Sequence, residues 1–442
     1  MRRMRRARRM RAVNLSVCAA LVALSASAAR AAGVWDFFGS VGVSAGRTDN
    51  PTLASAGHLR SICDLSSPNY DPNMPPICDP NNPSRFTPAR HRSGEVTGTL
   101  RLTGGVTAAW ERSGFDLAYS PTGLFYQDRS YLDQVSHDLT SSWRHSYTPR
   151  TSLNLSEQLN YTPEQDLDPN AAQLTSLLTR RTSRLTSGFQ GNLGVQHSAT
   201  SGLTYTYRNA VRSFSSPEFI DTVDHHAGVH WKRRVGRHSS INSGYEYGIF
   251  EFGSVPSDPN SANAGRNLGS DHHQANVGYG FESARGLHLN VSAGYNVLLP
   301  DDPDLHRSSG LYADTSVGWS GPRLVASGGY NRGISDGGGA YTNSQNENLY
   351  SNLRWTVSRK VSADLTAARS VNERLNSSSP SVTSSDVIRT FNGRATVTYS
   401  VAKNLGMNAS FTHYRQALPN ATTSVPEVRS NRYSIGLTWS IR

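Results

Sequence analysis

The residues best suited to chemistry in this 442-residue chain are its histidines, its cysteines and one glycine-rich stretch. Asp-His-His occurs twice, at 224–226 and 271–273. Adjacent imidazoles could hold a metal ion if both faced it. In an extended segment, however, neighbouring side chains point to opposite faces, so neither pair can close on one ion. His225 and His273 fall on the apolar side of their segments, near one end, and read as interfacial residues rather than as ligands. No metal and no cofactor are expected. The stretch GISDGGGAY (333–341) has the glycines of a phosphate cradle but no helix after it, so it reads as a loop. No HExxH and no nucleophile elbow is present, and the chain is not expected to be an enzyme. Cys63 and Cys78 share a proline-rich segment and are expected to pair in an oxidising compartment, closing a loop worth about 3 kcal/mol. Two cysteines without nearby histidines make half a metal site at best.

The elements that must position these residues are strands. In TSSWRHSYTPRTSLNLSEQLNY (140–161), Leu139, Ser141, Trp143, His145 and Tyr147 alternate with polar residues; after TPRT the pattern resumes as Leu153, Leu155, Glu157, Leu159 and Tyr161. That is a hairpin. The same unit recurs around the short turns ERSG (111–114), TPRT (148–151), HSATSG (197–202), RRVGRHS (233–239), ESARG (282–286), SGPR (320–323), SRK (358–360) and SVAKN (400–404). Eight hairpins, one strand before them and one after them predict eighteen strands, an even number.

The start of the chain reads as a signal, not as structure. MRRMRRARRMR is a basic n-region, and AVNLSVCAALVALSASAARA supplies an apolar stretch and small residues. Residues 1–31 are expected to be removed on Sec-type export, with cleavage after Ala31 preferred to Ala28, and Cys18 goes with them. A twin-arginine signal is the weaker reading. Residues 32–442 then form a single domain. Removing the eight arginines of the signal takes the formal net charge from +11 to +3, so the mature chain does not read as a nucleic-acid binder. It contains no run of eighteen apolar residues, hence no transmembrane helix. Its alternating aromatic and β-branched residues argue against disorder.

All seven tryptophans fall at one level. Trp110, Trp143, Trp231, Trp319 and Trp355 lie shortly before short turns, Trp35 opens the first strand and Trp439 nearly closes the last. Such a ring is expected where an apolar surface meets water at a membrane boundary. The fold class predicted is therefore all-β, a transmembrane antiparallel up-and-down β-barrel of about eighteen strands, of the outer-membrane type. Closure is required there because an open edge in hydrocarbon leaves backbone groups unpaired. Two residues fit badly: Glu157 and Arg369 lie on the apolar register, where a mid-depth charge costs about 2–4 kcal/mol for Arg and less for Glu. A bulge that shifts register, or a place near the rim, would explain them.

The opposite register predicts a polar, water-facing lining of mixed charge. Arg101, Arg144, Arg208, Arg212, Lys232, Arg354, Arg394 and Arg432 stand there against Glu95, Asp116, Asp138, Asp224, Glu246, Asp314 and Asp364, and the near balance predicts no strong ion selectivity. A barrel of this size is wide enough for an aqueous channel, so something must narrow it. Thr48 to Arg92, the longest loop and the one holding both cysteines, is the expected constriction.

VGVSAGRTDNPTLA in the first strand and SYTPRTSLNLSEQLNYTPE later resemble the outer-membrane β-barrel porins found with exopolysaccharide and exosortase loci. The resemblance in hairpin design covers nearly the whole mature chain. It implies a barrel and a role in polymer secretion, and it carries no catalytic residues to transfer. The terminal TWSIR departs from the aromatic last residue usual for the barrel insertion machinery, one of the expected partners beside outer-membrane lipid and polysaccharide-export components. The expected function is a porin-like channel for polar solutes or an exported polysaccharide. A surface adhesin or assembly scaffold, a barrel-borne hydrolase and a secreted soluble β-protein are the alternatives.

Overall fold

Strict alternation of apolar with small or polar side chains makes each long segment a strand with one greasy and one wet face. The structure, a computed structural model, describes residues 34–49, 78–79, 82–86, 94–128, 130–163, 183–215, 220–253, 269–303, 306–337, 343–375, 387–417 and 427–441. Its strands are β1 (Val34–Thr48), the short pair β2 (Cys78–Asp79) and β3 (Asn82–Phe86), then β4 (Glu95–Ala109), β5 (Ser113–Tyr126), β6 (Gln134–Thr148), β7 (Thr151–Thr162), β8 (Arg184–Gln196) and β9 (Ser201–Phe214). They continue as β10 (Thr222–Arg234), β11 (Ser239–Phe252), β12 (Ser270–Glu282), β13 (Leu287–Pro300), β14 (Ser308–Ser320) and β15 (Leu324–Ser335). The last are β16 (Ser344–Thr356), β17 (Val361–Arg374), β18 (Val387–Ala402), β19 (Leu405–Ala417) and β20 (Glu427–Ile441).

Apart from the β2–β3 pair, every strand lies antiparallel beside its neighbours in one 18-stranded sheet. β1 pairs with β20 on one side and with β4 on the other, so the sheet closes into a barrel with no free edge. All eight short turns fall where the sequence places them, all at one end. At one of them the backbone demands glycine: Gly286 has φ 80°, and a Cβ there would collide with the Ser320 carbonyl oxygen.

The apolar residues face outward, in rows that run across the strands. Leu353, Leu365, Ala395, Phe411 and Tyr433 stand opposite one another from β16 to β20, and the Phe411 and Tyr433 rings lie 4.9 Å apart. Ile435, Leu311 and Val277 are about two-thirds exposed. The tryptophans lie toward the turn end of their strands, where Trp35 meets Trp110 edge-on at 5.7 Å and Trp231 Nε1 donates to Ser201 Oγ at 3.0 Å.

The register corrects one expectation. Pairing runs unbroken through Glu157, which faces Ser141 and Phe189, and through Arg369, which faces Leu349 and Phe391. No bulge carries either residue to the other face. Arg369 is exposed, in the loop-side half of β17. Glu157 sits in mid-wall on the Leu155 and Leu159 face and is buried, with Oε2 lacking a hydrogen-bond partner. The expected signal at 1–31, Cys63, and most of the 48–92 segment lie outside the described residues.

Candidate functional site: a bore open at one end

Even-numbered residues line the bore on most strands, the register shifts falling at turn ends, between Ser146 and Thr148 and between Ser400 and Ala402. Along that lining, exposure falls from the turn end to the loop end. On β13, His288 and Asn290 are exposed, Ser292 and Gly294 are half-buried, and Asn296 and Leu298 are buried. On β16 the sequence is Arg354 and Asn352 exposed, Tyr350 half-buried, then Asn348, Asn346 and Ser344 buried. The same order holds on β18, from Ser400 to Asn392, Thr390 and Ile388, and on β19, which ends in buried Tyr414 and Gln416. The bore therefore opens to solvent at its turn mouth and is closed to it toward the loops.

One closing element is visible at β15. Its ladder with β14 runs from Ser320 opposite Val325 only as far as Ala313 opposite Arg332. Beyond that point β15 parts from β14 but stays paired with β16 to its end, Ser335 opposite Ser344, and the residue after it reaches strands farther round the bore. A Cβ at Gly333 would lie 3.9 Å from Asn296 Nδ2 on β13. Asp336, just after the strand, accepts hydrogen bonds from the Arg212 guanidinium of β9 and from Thr222 Oγ1 of β10, the latter at 2.7 Å. Gly337 follows at φ 73°, in the left-handed region a tight reversal needs. On the returning chain, Asn343 Oδ1 accepts from Ser270 Oγ of β12 at 3.2 Å. Of the GISDGGGAY stretch, Gly333, Ile334 and Ser335 end β15, Asp336 after them turns inward, and residues 338–341 lie outside the described residues.

Below this clasp lies a cavity of about 700 Å³ whose lining includes Asp116, Ser142, Gln190, Arg208, His226 and Asp336. At the turn mouth a second cavity of about 920 Å³ is lined by Arg112, Arg150, Lys232, Arg234, Arg237 and His288, among others, with Glu282 the one carboxylate. Basic side chains on the short turns produce that cationic mouth.

The residues expected to line the bore form several local groups, not one constellation. Arg208 Nη2 and His226 Nδ1 approach the same Glu246 oxygen, at 2.5 and 2.9 Å. Arg354 and Asp364, directly opposite on β16 and β17, pair at 2.6 Å. Asp116 accepts from Ser142 at 3.1 Å, Asp314 from Asn331 at 3.2 Å, and Arg394 donates to Thr396 at 3.2 Å. Arg144 lies over Gly114, and Arg101 and Lys232 are exposed. Sequence reasoning missed the Asp336 clasp and the buried Asn296, Asn346, Asn348 and Asn372, each of which keeps at least one amide atom without a hydrogen-bond partner.

The two histidine pairs split between faces as the strand period requires. His225 and His273 point outward, and their Nδ1 atoms hydrogen-bond Tyr207 and Tyr245 hydroxyls at 2.9 and 2.7 Å. His226 and His272 point inward, their rings 5.9 Å apart beside Phe250. Among the described residues no group of three or more His, Cys, Asp or Glu could hold a metal ion.

No protein-family model matches the chain, and no curated protein matches it in sequence. Among solved structures it is similar to the FrpB iron transporter from Neisseria meningitidis, at 9% identity over 92% of this chain and 83% of that one, with a TM-score of 0.46. It is also similar to the outer membrane protein OpdK from Pseudomonas aeruginosa, at 8% identity over 92% and 99%, with a TM-score of 0.41. The siderophore receptor PirA from the same organism gives 10% identity over 92% and 80%, with a TM-score of 0.41. None of these matches carries the exopolysaccharide association that the hairpin motifs imply.

Proposed function

We propose that this chain is an outer-membrane channel of the porin kind whose bore rests closed at the loop end. One observation carries the reading: a closed ring of eighteen strands exposes apolar rows outward and encloses a polar bore. Exposed Val, Leu, Ile and Phe at this density would aggregate a protein in water but suit hydrocarbon. At about 4.8 Å between strands and a tilt near 40°, eighteen strands give a radius of about 18 Å, room for an aqueous path if nothing filled it. The Ser, Thr, Asn and Gln of the lining suit polar, hydroxyl-bearing solutes, and an exported polysaccharide is the finer reading that the sequence resemblance favours.

The buried loop end favours a second reading, a barrel that serves as an adhesin or assembly scaffold and never conducts. Planar-bilayer recording separates the two. The channel reading expects discrete conductance steps that grow when Asp336→Ala releases the β15 clasp, and again when residues 51–92 are replaced by a short linker. A folded, inserted barrel that stays silent in all three forms would leave the scaffold.

A further inference from the structure

The turn mouth carries more positive charge than its own carboxylates can answer. Its cavity of about 920 Å³ arcs over successive hairpin turns, from Arg112 after β4, past Arg150 after β6 and residues 199–200 after β8, to Arg237 after β10. Lys232 and Arg234 of β10 and His288 of β13 stand on the inward register just inside it. Arg112, Arg150, Lys232, Arg234 and Arg237 are all exposed, and among the described residues none of the five makes an ion pair. Of the carboxylates at this end, Glu282 of β12 lines the cavity and Glu111 precedes Arg112 on its turn. Asp36 lies on β1, outside the arc. Asp364 is taken up by Arg354 at 2.6 Å, and Asp116 accepts from Ser142 Oγ at 3.1 Å in the deeper cavity. The turns on the far side add Arg323, Arg359, Lys360 and Lys403, so the rim beside the arc is cationic too. Cations gathered in a concave site with low-dielectric walls repel one another and focus a field that draws anions in.

Shape and lining say which anion fits. Lys232, Arg234 and His288 face the bore, beyond reach of lipid headgroups around the outside of the barrel. A folded partner would rest on the rim, whereas an extended chain can lie in the arc and continue into the bore. Successive turns stand two strands apart, about 10 Å, so a chain with charges repeated along it meets several cations at once. Between the cations the lining offers hydroxyl and amide groups, among them Ser152, Thr204, Ser240 and Asn290. Phe281, the one Phe, Tyr or Trp of the lining, stands on the outward register opposite Leu289, which leaves no such ring for a nucleic-acid base to stack on.

We propose that the turn mouth docks an acidic polysaccharide chain, its carboxylates on Arg150, Lys232, Arg234 and Arg237 and its hydroxyls on the Ser, Thr and Asn between them. The inference rests on the channel reading above and names the class of polymer that enters. Guanidinium groups hold carboxylates through two parallel hydrogen bonds, which favours this pairing over a point-charge contact.

The test is calorimetric titration of the full chain in a zwitterionic detergent at low ionic strength, with an oligogalacturonide as probe. The comparators are a malto-oligosaccharide of equal length, galacturonate monomer at equal carboxylate concentration and a single-stranded oligodeoxynucleotide of equal charge. The probe is expected to bind more tightly than all three, and more weakly as salt is raised. Arg150→Gln with Lys232→Gln and Arg234→Gln is expected to weaken binding on the order of 30-fold, about threefold per cation. Heat-modifiable migration on gels checks that the variant is folded. If it is not, Arg150→Gln alone, at a turn tip, is expected to cost about threefold. A neutral oligomer, a monomer or an oligonucleotide that binds as tightly as the probe, or equal binding by folded wild type and variant, would each overturn the proposal. Failure of the channel reading looks different: the barrel would bind the probe and stay silent in planar bilayers.

Discussion

The two ends of the bore are built from the same strands and have opposite characters. At the turn end, Asn290, Arg354 and Lys232 meet water, and neighbouring charges can rearrange freely. At the loop end, Asn372, Gln416 and Ser344 are buried on the same strand faces, and Asp336 is held by Arg212 and Thr222 from across the bore. A barrel wall alone cannot produce that difference, because every strand repeats one two-residue pattern from end to end. The difference comes from what reaches over the bore at one rim. β15 gives up its last pairs with β14 while keeping those with β16, and the Asp336 that follows it is held from β9 and β10, so the resting state is set at one rim while the other stays accessible.

The largest expected contrast is between two ion pairs. Asp336→Ala leaves the Arg212 guanidinium without its carboxylate in a closed site and should cost about 3 kcal/mol of stability, within the range for broken buried pairs. Asp364→Ala removes the half-buried partner of exposed Arg354 and should cost less than about 1 kcal/mol. Urea titration of the folded fraction in lipid vesicles measures both; equal losses would erase the distinction between the ends. A smaller effect is expected from the asparagines. Asn346→Leu removes a buried amide with both polar atoms unpartnered and should leave stability unchanged or raise it by about 1 kcal/mol. The same change at exposed Asn290 should lower solubility without raising stability. A stability loss above 1 kcal/mol at Asn346 would mean that ordered water or another group satisfies that amide.

Charge gives the third contrast. Lys232→Glu with Arg234→Glu should cancel the net positive charge of the turn mouth and shift the reversal potential toward cations in asymmetric salt. Arg208→Gln, beside Glu246 deeper in the bore, should move it less. On conductance the smallest expected effect is that of Gly286→Ala, a strained turn that should cost about 1–2 kcal/mol of stability and leave conductance untouched. A Gly286→Ala variant with altered conductance would show that the turn end takes part in closure.

The wall was legible in the sequence because lipid outside and water inside impose one alternation on every strand. Trp143 before TPRT and Leu437 near the chain's end obey the same rule, and eight short turns punctuate it. The closure was not legible. Arg212 and Asp336 are 124 positions apart, and an aspartate inside GISDGGGAY looks like any loop residue until β15 is seen to part from β14 just before it. The asparagines of β16 and β17 read as solvated lining, since burial depends on what lies over a face and not on the face itself. Arg369 looked like an error of pattern when read along its own strand. The unbroken register keeps it outward between Leu349 and Phe391, a relation that only the neighbouring strands supply.

The asymmetry of the bore is tested most directly by single cysteines in a chain whose Cys63 and Cys78 are replaced by serine. Asn290→Cys near the turn mouth and Asn372→Cys near the loop end are reacted, in lipid vesicles, with a bulky membrane-impermeant maleimide from either side. Rapid modification of Asn290→Cys from the turn side, with Asn372→Cys protected from both sides, is the expected result. Equal rates at the two positions would contradict a bore that is open at one end and closed at the other.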